Sequence, residues 1–316
     1  MVHPQPEITV CLCTRNRAAM LKRALISLVA CDKPTDLLWE TLVVNNGSSD
    51  ETPSVVAGFQ DCLPIRMVTE NSPGLSNARN RALVAARGSW LLWLDDDVTV
   101  NPRWLAAYAD HISQHPDTVL LGGAITVALS GNSPKWILQG LHAIGNAYAE
   151  RKVVGNSQIE ARGDVPFGAN FGIRKSALNG YCFDPRLGRH PDRPTKGGEE
   201  TALMRALLNA SNKGWWVANA GVTHHIDASR QTEAYLRSYY ADQGAMTVSC
   251  DSTPRLMVRL LLALVSTCVN EAQYMSQRLA HLNDRRALIL RRAATSRGRA
   301  RGCSRILSAR LRRQPG

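Results

Sequence analysis

The sequence predicts an α/β protein built on parallel βαβ units. Three features point to it. Short apolar strand-like runs alternate with helix-periodic segments through residues 8–97. Turn signals separate them, most plainly Asn45-Asn46-Gly47-Ser48-Ser49-Asp50. The apolar run Trp90-Leu91-Leu92-Trp93-Leu94 then ends abruptly in Asp95-Asp96-Asp97, as a buried strand would if it delivered acids to the carboxyl edge of a sheet, where open α/β folds bind ligands.

The elements follow in order. Ile8 to Cys13 reads as a strand, and a helical pattern runs from Ala18 to Ala30 with Leu21, Leu25 and Leu28 on one face. Thr41 to Val44 is a second strand, Thr52 to Phe59 starts a helix, and Ile65 to Thr69 is a third strand. Leu75-Ser76 opens a helix carrying Ala78, Ala82, Leu83 and Ala86 that stops at Gly88, and the Trp90–Leu94 strand follows. Beyond residue 100 the pattern loosens. Pro102 to His115 reads as a helix, Thr118 to Leu121 as a strand, and Val165 to Ile173 as a Gly-rich strand and turn. Pro185 to Gly198 reads as a mobile loop, Glu199 to Leu208 and Gln231 to Gly244 as helices, and Trp215 to Ala218 as a strand.

The chain of 316 residues can hold one large or two medium domains. Its eight cysteines form no paired CxxC array, which argues against a zinc site or a disulfide framework. Met1 to Glu7 is short and polar without a signal-peptide apolar stretch, so a reduced, cytoplasmic protein is expected. The net charge of +12 is unevenly spread: residues 285–316 hold eleven arginines and no acid, leaving 27 basic and 26 acidic side chains before them. The segment Leu256 to Val269 is apolar apart from Arg259 and, at about 14 residues, is shorter than the roughly 20 needed to span a bilayer. Burial against the body or an interfacial position is expected for it.

Asp95 and Asp97 lie one residue apart and point to one side of an extended chain, so they can share a cation or a ligand. Adjacent carboxylates repel, and Mg²⁺ or Mn²⁺ would relieve the repulsion; a solvated acidic turn is the plain alternative. Glu199-Glu200 follows two glycines and opens a helix, where the dipole favours an ionised carboxylate.

In this order and spacing, several segments resemble the family-2 glycosyltransferases of the GT-A fold. They are Ile8 to Arg17, Val43 to Thr52, Gly74-Leu75-Ser76-Asn77-Ala78-Arg79-Asn80, Leu94 to Asp97, Gly168-Ala169-Asn170, Gly198 to Leu203, and Val222-Thr223-His224-His225. The resemblance covers about residues 7–245. It implies a GT-A fold, Rossmann-like with a mostly parallel central sheet and a C-terminal helical extension. A glycosyltransferase domain is then expected over 1–250 (nucleotide-binding half about 7–100, acceptor half about 101–250), an apolar helical extension over 251–284, and a flexible basic tail over 285–316.

The resemblance further implies metal-dependent, inverting transfer of a sugar from a nucleoside diphosphate sugar to an acceptor hydroxyl, in cell-surface glycan or glycolipid synthesis. Asp97 would be the metal ligand for Mn²⁺ or Mg²⁺, with Asp95 near the ribose or a metal-bound water and Asp96 beside the nucleotide. Thr14, Arg15 and Asn45 would border the base and ribose; the family often has Asp at the place of Asn45, which leaves the base open. Arg79 would reach the nucleotide or diphosphate, a surface helix charge being the alternative. Glu200 would be the general base and Glu199 its partner; two ordinary acids opening a helix are the alternative. His225 would lie near the metal or diphosphate, with core packing as the alternative. A non-catalytic nucleotide-sugar-binding or scaffold protein is the rival reading, and nucleotidyl transfer is disfavoured because no Gly-rich, Lys-containing triphosphate loop lies near the N-terminus.

Each basic residue near an anionic membrane is worth about 1 kcal/mol, so the arginine-rich tail predicts peripheral attachment at the inner face of a membrane, against a merely solvated end. Nucleic acid would attract the same charge, but no aromatic platform accompanies the arginines, and it is not expected as a partner. The acceptor, whether glycan, lipid-linked or small molecule, is not encoded in any readable motif.

Overall fold

The computed structural model describes residues 5–192, 197–210, 212–248, 252–280, 283 and 285–312. In chain order the elements begin β1 (Ile8–Thr14), α1 (Ala18–Ala30), β2 (Trp39–Asn45), α2 (Thr52–Ala57), β3 (Ile65–Thr69), α3 (Leu75–Ala85) and β4 (Trp90–Asp95). They continue with β5 (Val98–Val100), α4 (Trp104–Gln114), β6 (Thr118–Leu129), α5 (Lys135–Ile144), β7 (Ser157–Gln158) and β8 (Asn170–Arg174). Last come α6 (Glu199–Asn209), β9 (Lys213–Ile226), α7 (Glu233–Met246), α8 (Thr253–Leu279) and α9 (Arg286–Leu311). Contacts divide the chain into two compact units, Met1–Ala128 with Ala149–His225, and Leu129–Tyr148 with Ile226–Gly316. The expected boundary at residue 250 does not coincide with this division, because residues 129–148 and 226–248 pack with the C-terminal helices.

The first unit is a mixed sheet in the order β3-β2-β1-β4-β8-β6-β9-β5, with β7 added alongside β9. The β3-β2-β1-β4 half is parallel, with Ile8 opposite both Trp39 and Trp90. Beyond β4, the β4–β8, β8–β6, β9–β5 and β9–β7 pairings are antiparallel, as in Trp93 opposite Phe171. Chain order reverses between β1 and β4, so the crevice at their carboxyl ends is a topological switch point.

Period-2 alternation explains the two cores. Ile8, Val10 and Leu12 with Trp90, Leu92 and Leu94 face α1 and α4, whose Leu21, Leu25, Leu28, Trp104 and Tyr108 cover them. Cys11, Leu91 and Trp93 face the other way, under Ala78 and Ala82 of α3 and Leu203, Met204 and Leu207 of α6. With both faces covered, these strands read as continuous apolar runs rather than alternating ones. Each fully buried Leu there contributes roughly 2 kcal/mol.

The second unit corrects two expectations. Residues 286–311 are not a flexible tail but helix α9, which buries Ala287, Leu290, Ala293, Ala294, Gly298, Ala300, Gly302 and Cys303. The small residues recur every three or four positions and let α7 approach closely. A Cβ on Gly298 would lie 1.9 Å from the Ala241 carbonyl oxygen, and one on Gly244 2.2 Å from that of Thr295. The arginines occupy the other positions: Arg292, Arg297, Arg299, Arg301 and Arg305 are exposed. The apolar segment expected over 256–269 is part of a longer helix, α8, of 27 residues, which is long and apolar enough to cross a membrane by length and composition. Only 11% of its most apolar stretch is buried.

Candidate active site

The site gathers at the carboxyl ends of β1, β2 and β4 and at the start of α6. The last residue of β1, Thr14, is buried and its Oγ1 donates to Asp96 Oδ2 at 2.7 Å. Arg17, just beyond β1, reaches back across the acids: it pairs with Asp96, and its Nη2 lies 3.2 Å from Asp97 Oδ2. Asp96 and Asp97 are both 3% exposed, whereas Asp95 is the open member with a side chain 35% exposed. Burial pushes the Asp96 carboxyl up, Arg17 opposes this, and the Asp97 charge adds to it. Arg17 is a site residue that motif reading passed over, since a charge two residues past a strand carries no mark of where its guanidinium lands.

Of the two histidines it is His224, and not the expected His225, that meets the acids. Neighbours on β9 point to opposite faces, and the pairing of Val98 with His224 sets which one meets the acids. His224 Nε2 lies 3.2 Å from Asp97 Oδ1, both side chains being buried. His225, the expected ligand, turns instead to Thr99, with Nε2 2.9 Å from Oγ1.

Arg79 is likewise not aimed at open solvent. It is 2% exposed, and its Nη1 lies 2.5 Å from Glu199 Oε1 and 3.7 Å from Glu200 Oε2. Its Nη2 lies 3.4 Å from both Asp95 Oδ1 and the Gly168 carbonyl. One guanidinium therefore serves three carboxylates from two elements and fixes the start of α6 against the end of β4. Glu199 is 3% exposed, and Glu199 Oε2 and Glu200 Oε2 are buried without a hydrogen-bond donor among the described residues. A proton on Glu199 suits that arrangement: burial and the Glu200 charge push its carboxyl up, against the pull of Arg79. Glu200, the outer acid, keeps a side chain 15% exposed.

The loop before α6, expected to be mobile, is tied down over residues 187–190. Ser76 Oγ donates to the Leu187 carbonyl at 2.9 Å, and Leu75 N to that of Arg189 at 2.9 Å. Gly188 (φ +83) passes so close that an added Cβ would lie 2.6 Å from Ser76 Oγ and 3.1 Å from Glu199 Cδ. Residues 193–196 of that expected loop lie outside the described residues.

Asn45 is buried, and its Oδ1 accepts from Ser48 N, three residues on, at 2.8 Å, which occupies one lone pair of that oxygen. Arg15 is exposed at the mouth of the β1 crevice. Asn46, which carried no expectation, spans the β2 end and the approach to α3: Nδ2 donates to the Glu70 and Ser72 carbonyls at 2.9 and 2.8 Å, and Oδ1 accepts from Gly74 N at 3.0 Å. Asn170 of the Gly168-Ala169-Asn170 segment is fully buried. Its Oδ1 accepts from Trp104 Nε1 and Tyr108 OH, each at 2.9 Å, and its Nδ2 donates to the Ala124 and Ala220 carbonyls at 3.1 and 2.7 Å. It joins α4, β6, β8 and β9 beneath the acids and touches none of them.

The donor set can be tested for Mn²⁺ or Mg²⁺. Such ions typically take one or two carboxylates and complete their shell with phosphate oxygens and water. Asp97 and His224 converge as one carboxylate and one imidazole, which fits a sparse site finished by substrate. Among the described residues no group of three His, Cys, Asp or Glu forms an all-protein cage.

A switch-point crevice lined by strand-end acids, with a second acidic pair at a helix start, is where an open α/β fold binds its ligand. The comparisons give the family. The family description "Glycosyl transferase family 2" matches residues 9–181, and the chain belongs to that family. It is 30% identical over 226 residues to the succinoglycan biosynthesis protein ExoO of Rhizobium meliloti (strain 1021), covering 70% of this chain and 61% of that one. It is 25% identical over 164 residues to the hyaluronan synthase of Pasteurella multocida, covering 51% of this chain and 16% of that one. This chain thus matches about three fifths of one relative's length and under a fifth of the other's. Among solved structures, S. aureus TarS 1-349 in complex with UDP-GlcNAc superposes with a TM-score of 0.56 at 16% identity, covering 93% of this chain and 91% of that one. The mannosyltransferase PcManGT from Pyrobaculum calidifontis, in complex with GDP-Man and Mn²⁺, gives 0.53 at 14% identity, covering 99% and 77%. These likenesses establish a GT-A-like α/β fold with a mixed, mostly parallel sheet and C-terminal helices.

Proposed function

We propose that the chain transfers one sugar from a nucleoside diphosphate sugar to an acceptor hydroxyl, with inversion at the anomeric carbon, in the synthesis of a polysaccharide. The observation that carries this reading is the placement of Glu200. It is the partly open acid at the α6 start, linked through Arg79 to Asp95 at the β4 end. Glu200 takes the acceptor proton as its oxygen attacks the anomeric carbon and the bond from that carbon to the diphosphate oxygen breaks. Glu199 is a positioning residue: buried and held by Arg79, it fixes the height of Glu200 and is kept from competing as base by its raised carboxyl. Asp95, the exposed strand-end acid, faces the donor. When a divalent ion is bound, Asp97 and His224 would hold it, and its charge would offset that growing on the departing diphosphate. Succinoglycan synthesis in the ExoO relative supports a polysaccharide product, and the UDP-GlcNAc and GDP-Man seen in the two solved structures support a sugar nucleotide donor.

The test is nucleoside diphosphate release by the full chain and by Glu200→Gln. Loss of release in Glu200→Gln, with nucleotide binding and melting temperature retained, supports the assignment. Undiminished release removes Glu200 from the role of base.

A further inference from the structure

Helix α8 has two unlike faces. Residues Leu256, Leu260, Ala263, Thr267, Asn270, Tyr274 and Gln277 recur at alternating steps of four and three and are buried or half-buried. This stripe packs on α9, which runs antiparallel: Thr253 bonds Arg310, Ser266 bonds Ser296, and Tyr274 bonds Arg286. Opposite the stripe, Met257, Val258, Leu261, Leu262, Leu264, Val265 and Val269 are 48–63% exposed. At ~100° per residue they fill an arc of about 160° that contains no charge. A contiguous apolar face of this kind is not left to water without a partner.

The surrounding charge selects the partner. Residues 252–312 carry thirteen arginines and two acids. Apposing two such surfaces brings like charges together, whereas anionic lipid headgroups complement them. The geometry also selects the mode. The uninterrupted apolar face, from Met257 to Val269, is about 18 Å long, short of the ~30 Å hydrocarbon core. A transverse orientation would draw α9 in as well, with Arg297 bonded to Glu271 at 2.8 Å and Ser296 bonded to Ser266 at 2.8 Å, and arginines in hydrocarbon are costly.

We infer that α8 lies in the plane of an anionic phospholipid bilayer, with its Met257–Val269 face in the acyl boundary and the arginines of α9 at headgroup level. The occupant is a lipid surface, and the contact is interfacial, not transmembrane. It involves no residue of the candidate site and does not depend on the sugar-transfer reading.

The experiment is co-flotation of the full chain with phosphatidylglycerol–phosphatidylcholine vesicles and with pure phosphatidylcholine vesicles, at low and high salt. It is paired with the double variant Leu261→Glu, Val265→Glu. Both positions are exposed, at 63% and 55%, so the variant keeps the wild-type melting temperature. The wild type floats with the phosphatidylglycerol vesicles, less so in high salt, and the variant partitions at least about tenfold more weakly. Equal flotation of variant and wild type overturns the inference, as does a wild type that floats with neither vesicle. A wild-type dimer in sedimentation analysis that the variant dissociates, without lipid binding, assigns the face to a second copy and also overturns it.

Discussion

Removing the Asn170 side chain should damage the fold of the first unit rather than the chemistry. Its amide makes four hydrogen bonds to groups 46 to 66 residues away in sequence, three of them buried and the one to Ala124 partly buried. Asn170→Ala leaves Trp104 Nε1, Tyr108 OH and two carbonyls without their partner. The packing is tight enough that a Cβ on Gly123 would sit 2.2 Å from Asn170 Nδ2, so replacement groups have little room to move in. Tyr108 gives no relief by ionising, because burial pushes its phenol well above the usual range. At about 1 kcal/mol for each lost bond, the variant loses about 4 kcal/mol. Urea denaturation reads this directly: with m of about 2 kcal/mol/M, the midpoint falls by about 2 M. Asn170→Asp serves as control, since it keeps the acceptor but turns the two donors into an oxygen facing carbonyls. That variant should be as unstable as Asn170→Ala at neutral pH and recover on acidification, when the buried carboxyl takes a proton and regains one donor. A midpoint shift for Asn170→Ala below about 0.5 M would refute the assignment of Asn170 as the tie between these four elements.

Other perturbations have equally definite outcomes. Arg79→Met removes the donor to Glu199 and the charge that faces Glu200 and Asp95, and should cost about 1.5–3 kcal/mol in thermal or chemical unfolding; a loss under about 0.5 kcal/mol contradicts the shared-guanidinium geometry. Glu199 has a raised folded-state carboxyl, so the native state keeps a proton that the unfolded chain releases above its ordinary pKa. The stabilising contribution is therefore full below that value and lost as pH rises through the folded pKa. Glu199→Gln, which cannot ionise, should gain on the wild type by up to about 1.4 kcal/mol per pH unit across that window, and a pH-independent difference would contradict it. Gly298→Ala should lose about 2 kcal/mol in the unfolding of the full chain, the backbone clash with Ala241 exceeding the ~1 kcal/mol gain in helix propensity; a more stable variant would contradict the close α7–α9 crossing.

Local signals carried much of the fold. The alternation of strand and helix through residues 8–97 was legible because each element shows its period, and β1, α1, β2, β3, α3 and β4 fall within a few residues of the expected positions. The strand-end acids and the helix-opening glutamates were legible for the same reason. What escaped notice depends on pairing between distant segments. Whether His224 or His225 meets Asp97 is decided by the register of β9 on β5, and a one-residue slip would exchange them. Arg79 looks like a surface charge at a helix start until Glu199, 120 residues away, is placed against it. In residues 286–311 the helical signal lies in the Ala and Gly positions between the arginines, which are what the helix buries. For α8 the apolar stretch is legible in the sequence, but the length of the helix around it and its exposure depend on packing with α9.

The most direct test of the account is nucleoside diphosphate release from a panel of UDP, GDP, dTDP and CDP sugars, with Mn²⁺, with Mg²⁺ and with EDTA, by the wild type, Asp97→Asn and Glu200→Gln. The account predicts release from one donor by the wild type, abolished by EDTA and by Asp97→Asn, and abolished in Glu200→Gln although that variant still binds the nucleotide. Absence of both release and metal-dependent nucleotide binding across the whole panel would contradict it.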